Sequence, residues 1–419
     1  MLKLKNWLGK PIGDDIISEI YVVDAMMGMG KTSAVINYIN SSHPNDRFIF
    51  ITPYLTEVER IKTSCAGKNF VEPTENATKT EDLRNLILKR KNIVTTHALF
   101  LKLTDNVLKM IKKRGYTLIM DEVVQLVDEV AVSSGDYELV NSMIDREEDE
   151  RLKWKKRSYN GVFGNYKYII DTRDTYDACW QNAFISFIKK DIFTSFEKVF
   201  VLTYLFESQI QGCYFKFYGL DYNRLYIKNE NGKYELTEEV VDYQYPDLSK
   251  LIHICDNKKL NSVGDGMYDL SVSWYNAREN AVKKSRLKDN CFNYFHNIVK
   301  SKASNNLWTC FKENQNELKG KGYSKGYAPI NMRASNEYRN RNCVAYLVNR
   351  FPNTVIYNFF SKRGVSFNRD AFALSEMLQF IWRSAIRDDK EIWVYVPSSR
   401  MRSLLVEWLE NPKKFEEVN

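Results

Sequence analysis

The chain has 419 residues, of which 44% are hydrophobic and 27% charged, and its formal net charge is +8. This length accommodates two ordinary domains, and the composition is that of a globular protein rather than a disordered one. No stretch is long and apolar enough to span a membrane, and the opening residues lack the apolar core of a signal peptide. The seven cysteines and four histidines show no metal-ligand spacing. We therefore expect a cytoplasmic protein with no membrane partner, no disulfide framework and no zinc site.

The most specific pattern near the start is the octapeptide AMMGMGKT at residues 25–32, which follows an apolar run at 20–23 and precedes a helical pattern at 33–40. A strand, a glycine-rich loop and a helix in this order are typical of a P-loop. Its backbone N–H groups, its lysine and the helix N-terminus would bind the phosphates of ATP, and its threonine hydroxyl would ligate Mg²⁺. Alanine stands where the first glycine of the motif is usual. The predicted nucleotide-binding residues are Gly28, Met29, Gly30, Lys31, Thr32 and Ser33.

Further β-like runs alternate with helical stretches up to residue 125. They lie at 47–52, 92–96 and 117–121, and another strand is predicted at 198–203. Apolar strands that alternate with helices favour a parallel sheet covered on both faces. The first half of the chain is therefore predicted to be an α/β domain.

The strand at 117–121 ends in two acids, Asp121 and Glu122, which is a Walker B pattern. In a parallel sheet these carboxylates emerge at the same edge as the P-loop. Asp121 would hold Mg²⁺ together with Thr32, and Glu122 would orient or deprotonate the attacking water. Lys31 and Glu122 are accordingly predicted to be catalytic.

A long insertion, at about 128–195, separates this acidic pair from the next strand. It contains an acidic run at 145–150, a basic run at 151–157 and several aromatic residues. The basic side chains Lys155, Lys156 and Arg157 could grip a nucleic-acid strand by charge while the aromatic residues stack on bases. The alternative is a solvated charged helix next to a packed hairpin.

A second α/β segment is predicted to begin near residue 211. Its candidate strands lie at 214–217, 251–255, 307–311, 355–358 and 392–396. Residues 375–387 read as one helix in which Gln379, Arg383 and Arg387 form a polar stripe. Arginines on such a stripe either bind phosphate or form surface ion pairs.

The combination of P-loop, Asp-Glu pair and Gln-x-x-x-Arg-x-x-Arg stripe resembles the superfamily 2 helicases, in particular the helicase-like proteins of bacteriophages. The resemblance covers residues from about 18 to 400 and implies two RecA-like parallel-sheet domains in tandem, here 1–210 and 211–419, with a helical or irregular insertion in the first. It also implies that Gln379, Arg383 and Arg387 are catalytic, with Arg387 acting on the γ-phosphate. The chain lacks a glutamine-based adenine clamp before the P-loop.

The same resemblance places the other motifs that would touch the sugar-phosphate backbone. Residues 50–54 are similar to motif Ia, 95–97 to motif Ib, and 202–204 stand where motif III belongs but lack its Ser-Ala-Thr form. Residues 331–336 are a candidate for motif V. The predicted strand contacts are Thr52, Pro53, Tyr54, Thr95, Thr96, His97 and Thr203, in addition to the basic run.

The resulting expectation is an ATP- and Mg²⁺-dependent helicase or translocase that acts on nucleic acid, with DNA favoured over RNA. A phage-type protein would act in replication or recombination with replication proteins as further partners, as a monomer or a weak oligomer. Two alternatives remain open at this point. One is a loader or packaging ATPase, and the other is an ATP-gated nucleic-acid clamp that does not separate strands.

Overall fold

The computed structural model describes residues 18–53, 55–74, 78–330 and 336–416. The chain divides into two compact units, the first formed by Met1–Val241 and Asn353–Phe367, the second by Asp242–Pro352 and Asn368–Asn419. The boundary predicted at residue 210 therefore lies inside the first unit. Tyr54 and most of the motif V candidate lie outside the described residues, as do the opening residues of the chain.

The elements up to residue 237 belong to the first unit. They are β1 (Glu19–Asp24), α1 (Lys31–Ser41), β2 (Arg47–Thr52), α2 (Leu55–Ser64), α3 (Lys79–Leu88), β3 (Ile93–Thr96), α4 (His97–Phe100), α5 (Asp105–Arg114), β4 (Tyr116–Asp121), β5 (Val127–Ala131), α6 (Ser134–Ser142), β6 (Ile144–Arg146), β7 (Leu152–Trp154), α7 (Gly164–Thr172), β8 (Asp174–Asp177), β9 (Ala183–Phe187), α8 (Asp191–Thr194), β10 (Lys198–Thr203), α9 (Ile210–Tyr218), β11 (Asn223–Glu230) and β12 (Lys233–Thr237).

The remaining elements follow after residue 250. They are β13 (Ile252–Ile254), α10 (Lys258–Asn261), α11 (Val272–Asn276), α12 (Ala281–Asn293), β14 (Asn306–Thr309), α13 (Gln315–Leu318), β15 (Cys343–Tyr346), α14 (Thr354–Lys362), α15 (Arg369–Ile381), β16 (Ile392–Tyr395) and α16 (Ser399–Glu410).

In the first unit, seven of the described strands form a large sheet in the order β12-β11-β1-β10-β4-β2-β3. All neighbours are parallel except the β11–β12 hairpin, which is antiparallel. The central strands are buried along almost their whole length, as expected for a sheet covered on both faces. The five strands predicted before residue 210 are confirmed, together with the helix that follows the P-loop.

The insertion is not helical or irregular as predicted. It contains a three-stranded antiparallel sheet in the order β5-β9-β8, a β6–β7 hairpin and the helices α6 and α7. It also has a hydrophobic core of its own, because apolar side chains from both sheets and both helices pack together. That core is formed by Val132, Val140, Ile144, Leu152, Trp154, Ile170 and Phe184.

Helix α14 belongs to the first unit although it lies late in the chain. The ring centroid of Phe359 lies 5.4 Å from that of Phe187 on β9 and 5.7 Å from that of Phe217 on α9. Aromatic rings at such separations stabilise one another beyond the area they bury. This aromatic cluster explains why a segment from the second half of the sequence packs in the first unit.

The second unit contains a smaller sheet whose described strands are all parallel, in the order β13-β16-β15-β14. Helix α12 covers one side of it with Leu287 and Cys291, which pack against Trp308 and Tyr395. The two parallel sheets confirm the predicted architecture of two RecA-like α/β domains.

Within the part of the chain that the structure describes, no helix is long and apolar enough to cross a membrane. All seven cysteines are free thiols.

Two predicted strands are wrong, because residues 214–217 and 355–358 are helical, in α9 and α14. Both are short aromatic or β-branched runs, which periodicity alone does not assign to strand or helix. Helix α9 ends at Gly219, whose φ of 60° suits glycine. The side chain of Asn353 accepts hydrogen bonds from the N–H groups of Val355 and Ile356 and so caps the start of α14.

Candidate nucleotide-binding site

The loop between β1 and α1 has the backbone conformation of a phosphate-binding turn. Gly28 and Gly30 have φ angles of 85° and 84°, which residues other than glycine rarely adopt. Gly30 directly precedes α1, and its carbonyl accepts the first helical hydrogen bond, from the N–H of Ala34. The loop therefore leads into a helix N-terminus, where unpaired N–H groups favour an anion.

The ammonium group of Lys31 is buried inside this loop. It donates hydrogen bonds to the carbonyls of Ala25 at 2.6 Å and Met26 at 3.1 Å. Burial lowers the pKa of Lys31, and the nearby carboxylates of Glu122, Asp24 and Asp121 oppose that shift. A cation that the loop holds in this way is suited to attract a phosphate.

Thr32 and Asp121 meet at the edge of the large sheet, as the sequence predicted. The register pairs Val23 of β1 with Leu202 of β10, and Leu202 with Asp121 of β4, so β1 and β4 end within one residue of the same level. The Thr32 hydroxyl donates to the Asp121 carboxylate at 3.4 Å. A hydroxyl and a carboxylate are the oxygen ligands that Mg²⁺ takes in proteins.

The electrostatics around Asp121 also fit a cation. Its pKa is raised to about 7 by burial and further by the negative charges of Glu122 and Glu57. Lys31 and Arg60 partly oppose the rise. A divalent ion bound beside these carboxylates would favour the ionised form of Asp121.

Glu122 occupies an unusual backbone position directly after β4. Its φ is 68°, in the left-handed region that residues other than glycine, asparagine and aspartate seldom adopt. Its N–H donates to the carbonyl of Leu202 at 2.9 Å, which extends the pairing of β4 with β10 by one residue. Such outliers concentrate at functional sites, where surrounding contacts hold them.

Sequence reasoning missed Asp24, the last residue of β1. Its carboxylate accepts hydrogen bonds from the N–H groups of Leu205 at 2.8 Å and Phe206 at 2.9 Å, and burial raises its pKa. Leu205 has a φ of 57°, so this carboxylate fixes a strained turn after β10. The only signal in the sequence is that an acid ends the strand before the P-loop.

Thr203, the predicted remnant of motif III, is fully buried at the end of β10. Its carbonyl accepts from the N–H of Ala25 at 3.1 Å, and its hydroxyl accepts from the side chain of Gln209 at 3.0 Å. A second glutamine, Gln211, accepts from the N–H of Val124 at 2.9 Å. These two glutamines, which the sequence did not single out, tie the loops after β4 and β10 to the start of α9.

Most of the other predicted strand contacts on the first unit have buried side chains. Thr52, Thr95 and His97 are each less than 10% exposed, whereas Pro53 and Thr96 are partly exposed. His97 Nε2 lies 2.9 Å from the carbonyl oxygen of Asp121. The loop after β3 is therefore linked to the acidic strand end through this ring.

The basic run of the insertion lies on β7 and just beyond it, and much of its charge is paired. Arg151 contacts Glu147, Asp149 and Asp174, while Lys153 contacts Glu147. Lys155 donates to the carbonyl of Ser142 and lies 3.8 Å from Asp145. Trp154 is buried in the insertion core and packs on Tyr159.

Lys156 and Arg157 follow these paired acidic and basic side chains and are exposed. Neither has an ion pair among the described residues of the insertion. They are the members of the predicted basic run that keep their charge available to solvent.

The predicted single helix over 375–387 is wrong. Helix α15 ends at Ile381, Ser384 is extended, and a short 3₁₀ turn follows at Ala385–Asp388. The chain leaves the helix because the N–H of Ala385 donates instead to the carbonyl of Arg341, at 2.8 Å. Gln379 and Arg387 therefore do not lie on one helical stripe.

Arg383 and Arg387 differ sharply in their surroundings. The guanidinium of Arg383 is buried and donates to the carbonyls of Pro329 at 3.0 Å and Ile330 at 3.1 Å. Arg387 and Gln379 are partly exposed. Of the two arginines, Arg387 is the one with a side chain open to a ligand.

The comparisons with known proteins give one full-length relative. The chain is 38% identical over 415 residues to the SPbeta prophage-derived uncharacterized protein YonV of Bacillus subtilis strain 168, covering 95% of this chain and all of that protein. Residues 246–409 match the family described as the YonV C-terminal Rossmann-like domain.

Solved structures with a similar chain path have low sequence identity. Xpd4 of S. tokodaii has a TM-score of 0.49 and 10% identity, over 93% of this chain and 94% of that one. A DEAD box protein from Methanococcus jannaschii has a TM-score of 0.29 and 12% identity, over 95% and 86% of the two chains.

The buried position of Asp121 makes a prediction about pH and stability in EDTA without nucleotide. Its ordinary pKa is 3.8 and its pKa in the fold is about 7. Between these values the folded state holds a proton that the unfolded state has lost, so rising pH destabilises the wild type. Asp121→Asn should therefore raise the free energy of unfolding by an amount on the order of 1 kcal/mol at pH 8, and by less at pH 5.

Urea denaturation between pH 5 and pH 8 measures this difference. The exposed Asp221 provides the matched control, since Asp221→Asn removes an acid that is not buried in the site. If Asp121→Asn raised the free energy of unfolding equally at both pH values, this would contradict the raised pKa of Asp121.

Proposed function

The chain belongs to the YonV family, and we propose that it is a nucleic-acid-dependent ATPase of the superfamily 2 helicase type. The observation that carries the proposal is the contact of Thr32 with Asp121 beside the buried ammonium of Lys31. Those three groups supply, in one place, the charge for a triphosphate and the oxygen ligands for its metal ion. The backbone of Gly28 and Gly30 completes a loop shaped for phosphate.

The roles of the individual residues follow from their positions. Lys31 and the N-terminus of α1 would bind the phosphates, and Thr32 with Asp121 would hold Mg²⁺, which would supply positive charge to the phosphate oxygens. Glu122, next to Asp121, orients the attacking water and accepts its proton. Asp24 and Thr203 hold the turn after β10 in place, so that any shift at the nucleotide is passed to that turn.

The finer parts of the proposal are that the polyanion is DNA, that hydrolysis drives movement along a strand, and that the protein serves phage replication or recombination. The relative's name describes it as prophage-derived, which favours a phage setting. ATPase rates with single-stranded DNA, duplex DNA, forked DNA and RNA, together with a strand-displacement assay, separate a helicase from an ATP-gated clamp.

Lys31→Ala should abolish ATP turnover and leave strand binding largely intact, because the ammonium contacts phosphate and not the strand. Steady-state ATPase assays and fluorescence anisotropy with a labelled oligonucleotide measure the two properties. The exposed Lys109 on α5 gives the control, since Lys109→Ala removes a lysine outside the loop. Normal turnover in Lys31→Ala would refute the P-loop assignment.

Arg387→Ala should reduce kcat by roughly 10³-fold if this guanidinium stabilises the transferring phosphate. Arg383→Ala should instead lower the thermal stability, since its buried guanidinium satisfies the carbonyls of Pro329 and Ile330. Steady-state kinetics and thermal unfolding of both variants test this contrast. If Arg387→Ala changes only KM, then Arg387 binds ground-state nucleotide and does not stabilise the transferring phosphate.

Replacing Lys156 and Arg157 by alanine should weaken strand binding and reduce its dependence on salt. Each lost phosphate contact should lower the slope of log K against log salt by about 0.7 on single strands. Binding titrations between low and moderate salt measure that slope. Lys153→Ala is the control, because Lys153 lies beside Glu147 on the same hairpin. A slope equal to that of the wild type would remove these two residues from the interface.

A further inference from the structure

The β11–β12 hairpin extends the large sheet beyond β1, on the side away from the acidic strand. Asp121 ends β4, which lies two strands from β1 in one direction, and β12 lies two strands from β1 in the other. The N-terminus of α1 follows β1 and so lies between them. The hairpin therefore flanks the phosphate loop on the side opposite its proposed metal ligands.

The hairpin places one aromatic ring directly against this loop. A Cβ atom added to Gly30 would lie 2.3 Å from Cδ1 and 2.4 Å from Cε1 of Tyr234. Only glycine allows such an approach, and the φ of 84° at Gly30 requires glycine independently. The ring of Tyr234 thus borders the last residue of the loop before Lys31.

Two features fix Tyr234 in that position. The Asn231-Gly232 turn, with positive φ at both residues, sets the hairpin register that pairs Tyr234 with Asn229. The side chain of Asn37 on α1 donates to the carbonyl of Tyr234 at 2.8 Å. The strand neighbours Lys233 and Glu235 are exposed and pair with each other at 2.6 Å, as the alternation of a strand requires.

We propose that Tyr234 contacts the nucleobase of the bound nucleoside triphosphate and forms the base-binding wall of the site. This inference rests on the proposed function and deepens it. Thr32 and Asp121 would hold the metal ion that neutralises the terminal phosphates of a bound nucleotide, so those phosphates belong on their side of the loop. The nucleoside then leaves the loop on the opposite side, where the ring of Tyr234 lies.

An aromatic wall has a definite consequence for specificity. Stacking on a tyrosine ring is available to every base, because every base has a π-face. The site should therefore gain affinity from the base without selecting strongly among bases. This matches the sequence, in which no glutamine-based adenine clamp precedes the P-loop.

The test compares binding of ATP with binding of inorganic tripolyphosphate, both with Mg²⁺, measured by isothermal titration calorimetry on the full chain. Tyr234→Ala should weaken ATP binding by about 10- to 100-fold, the range seen when a stacking aromatic is removed. Binding of tripolyphosphate, which has no base, should stay within about twofold of the wild type. Tyr234→Phe should keep ATP affinity within about threefold, because the ring remains.

Two further variants separate a base contact from simple support of the loop. Tyr234→Leu keeps an apolar side chain against Gly30 but has no π-face, so it should lose ATP affinity while binding tripolyphosphate normally. Lys233→Ala, on the exposed face of the same strand, should bind both ligands as the wild type does.

The outcomes are distinct. Equal weakening of ATP and tripolyphosphate in the Tyr234 variants, or no weakening of either, would overturn the base contact while leaving the proposed function intact. If the wild type binds neither ligand, the proposed function fails and this inference fails with it.

Discussion

The candidate site depends on one geometric constraint, which is that three parallel strands end within one residue of the same level. The register aligns Val23, Leu202 and Asp121 across β1, β10 and β4. Neighbouring strands lie about 4.8 Å apart, so the ends of β1 and β4 are roughly 10 Å from each other. The loop after β1 and the start of α1 place the Thr32 hydroxyl 3.4 Å from the Asp121 carboxylate. A shift of one residue in either pairing would separate the phosphate loop from its acid.

The polar groups that emerge at this edge satisfy one another. Asp24 accepts from two N–H groups of the turn after β10, Gln211 accepts from the N–H of Val124, and His97 contacts the carbonyl of Asp121. Buried backbone groups must find partners, and here the partners come from different loops. Residues that sequence patterns would assign to strand binding therefore also serve to couple the loops.

The sequence predicted the large sheet well because its buried parallel strands are continuous apolar runs. It also predicted that Thr32 and Asp121 would meet, since both follow from strand order and the carboxyl-edge rule. It did not predict Asp24 or Tyr234, whose partners lie far away in the chain and are set by tertiary packing. It also did not predict where α15 ends. The residues after Ile381 have a helical pattern, but the N–H of Ala385 donates to the carbonyl of Arg341, which lies far away in the chain.

The electrostatic state of the site favours a ligand that carries both signs of charge. Burial raises the pKa of Asp24 and that of Asp121, and it lowers the pKa of Lys31, so each group resists its charged form. A divalent cation would stabilise the carboxylates, and a phosphate chain would stabilise the ammonium. A metal–triphosphate complex supplies both at once. Binding of such a complex should therefore stabilise the folded first unit by an amount that rises with the logarithm of its concentration relative to its Kd, because the unfolded chain offers no comparable site.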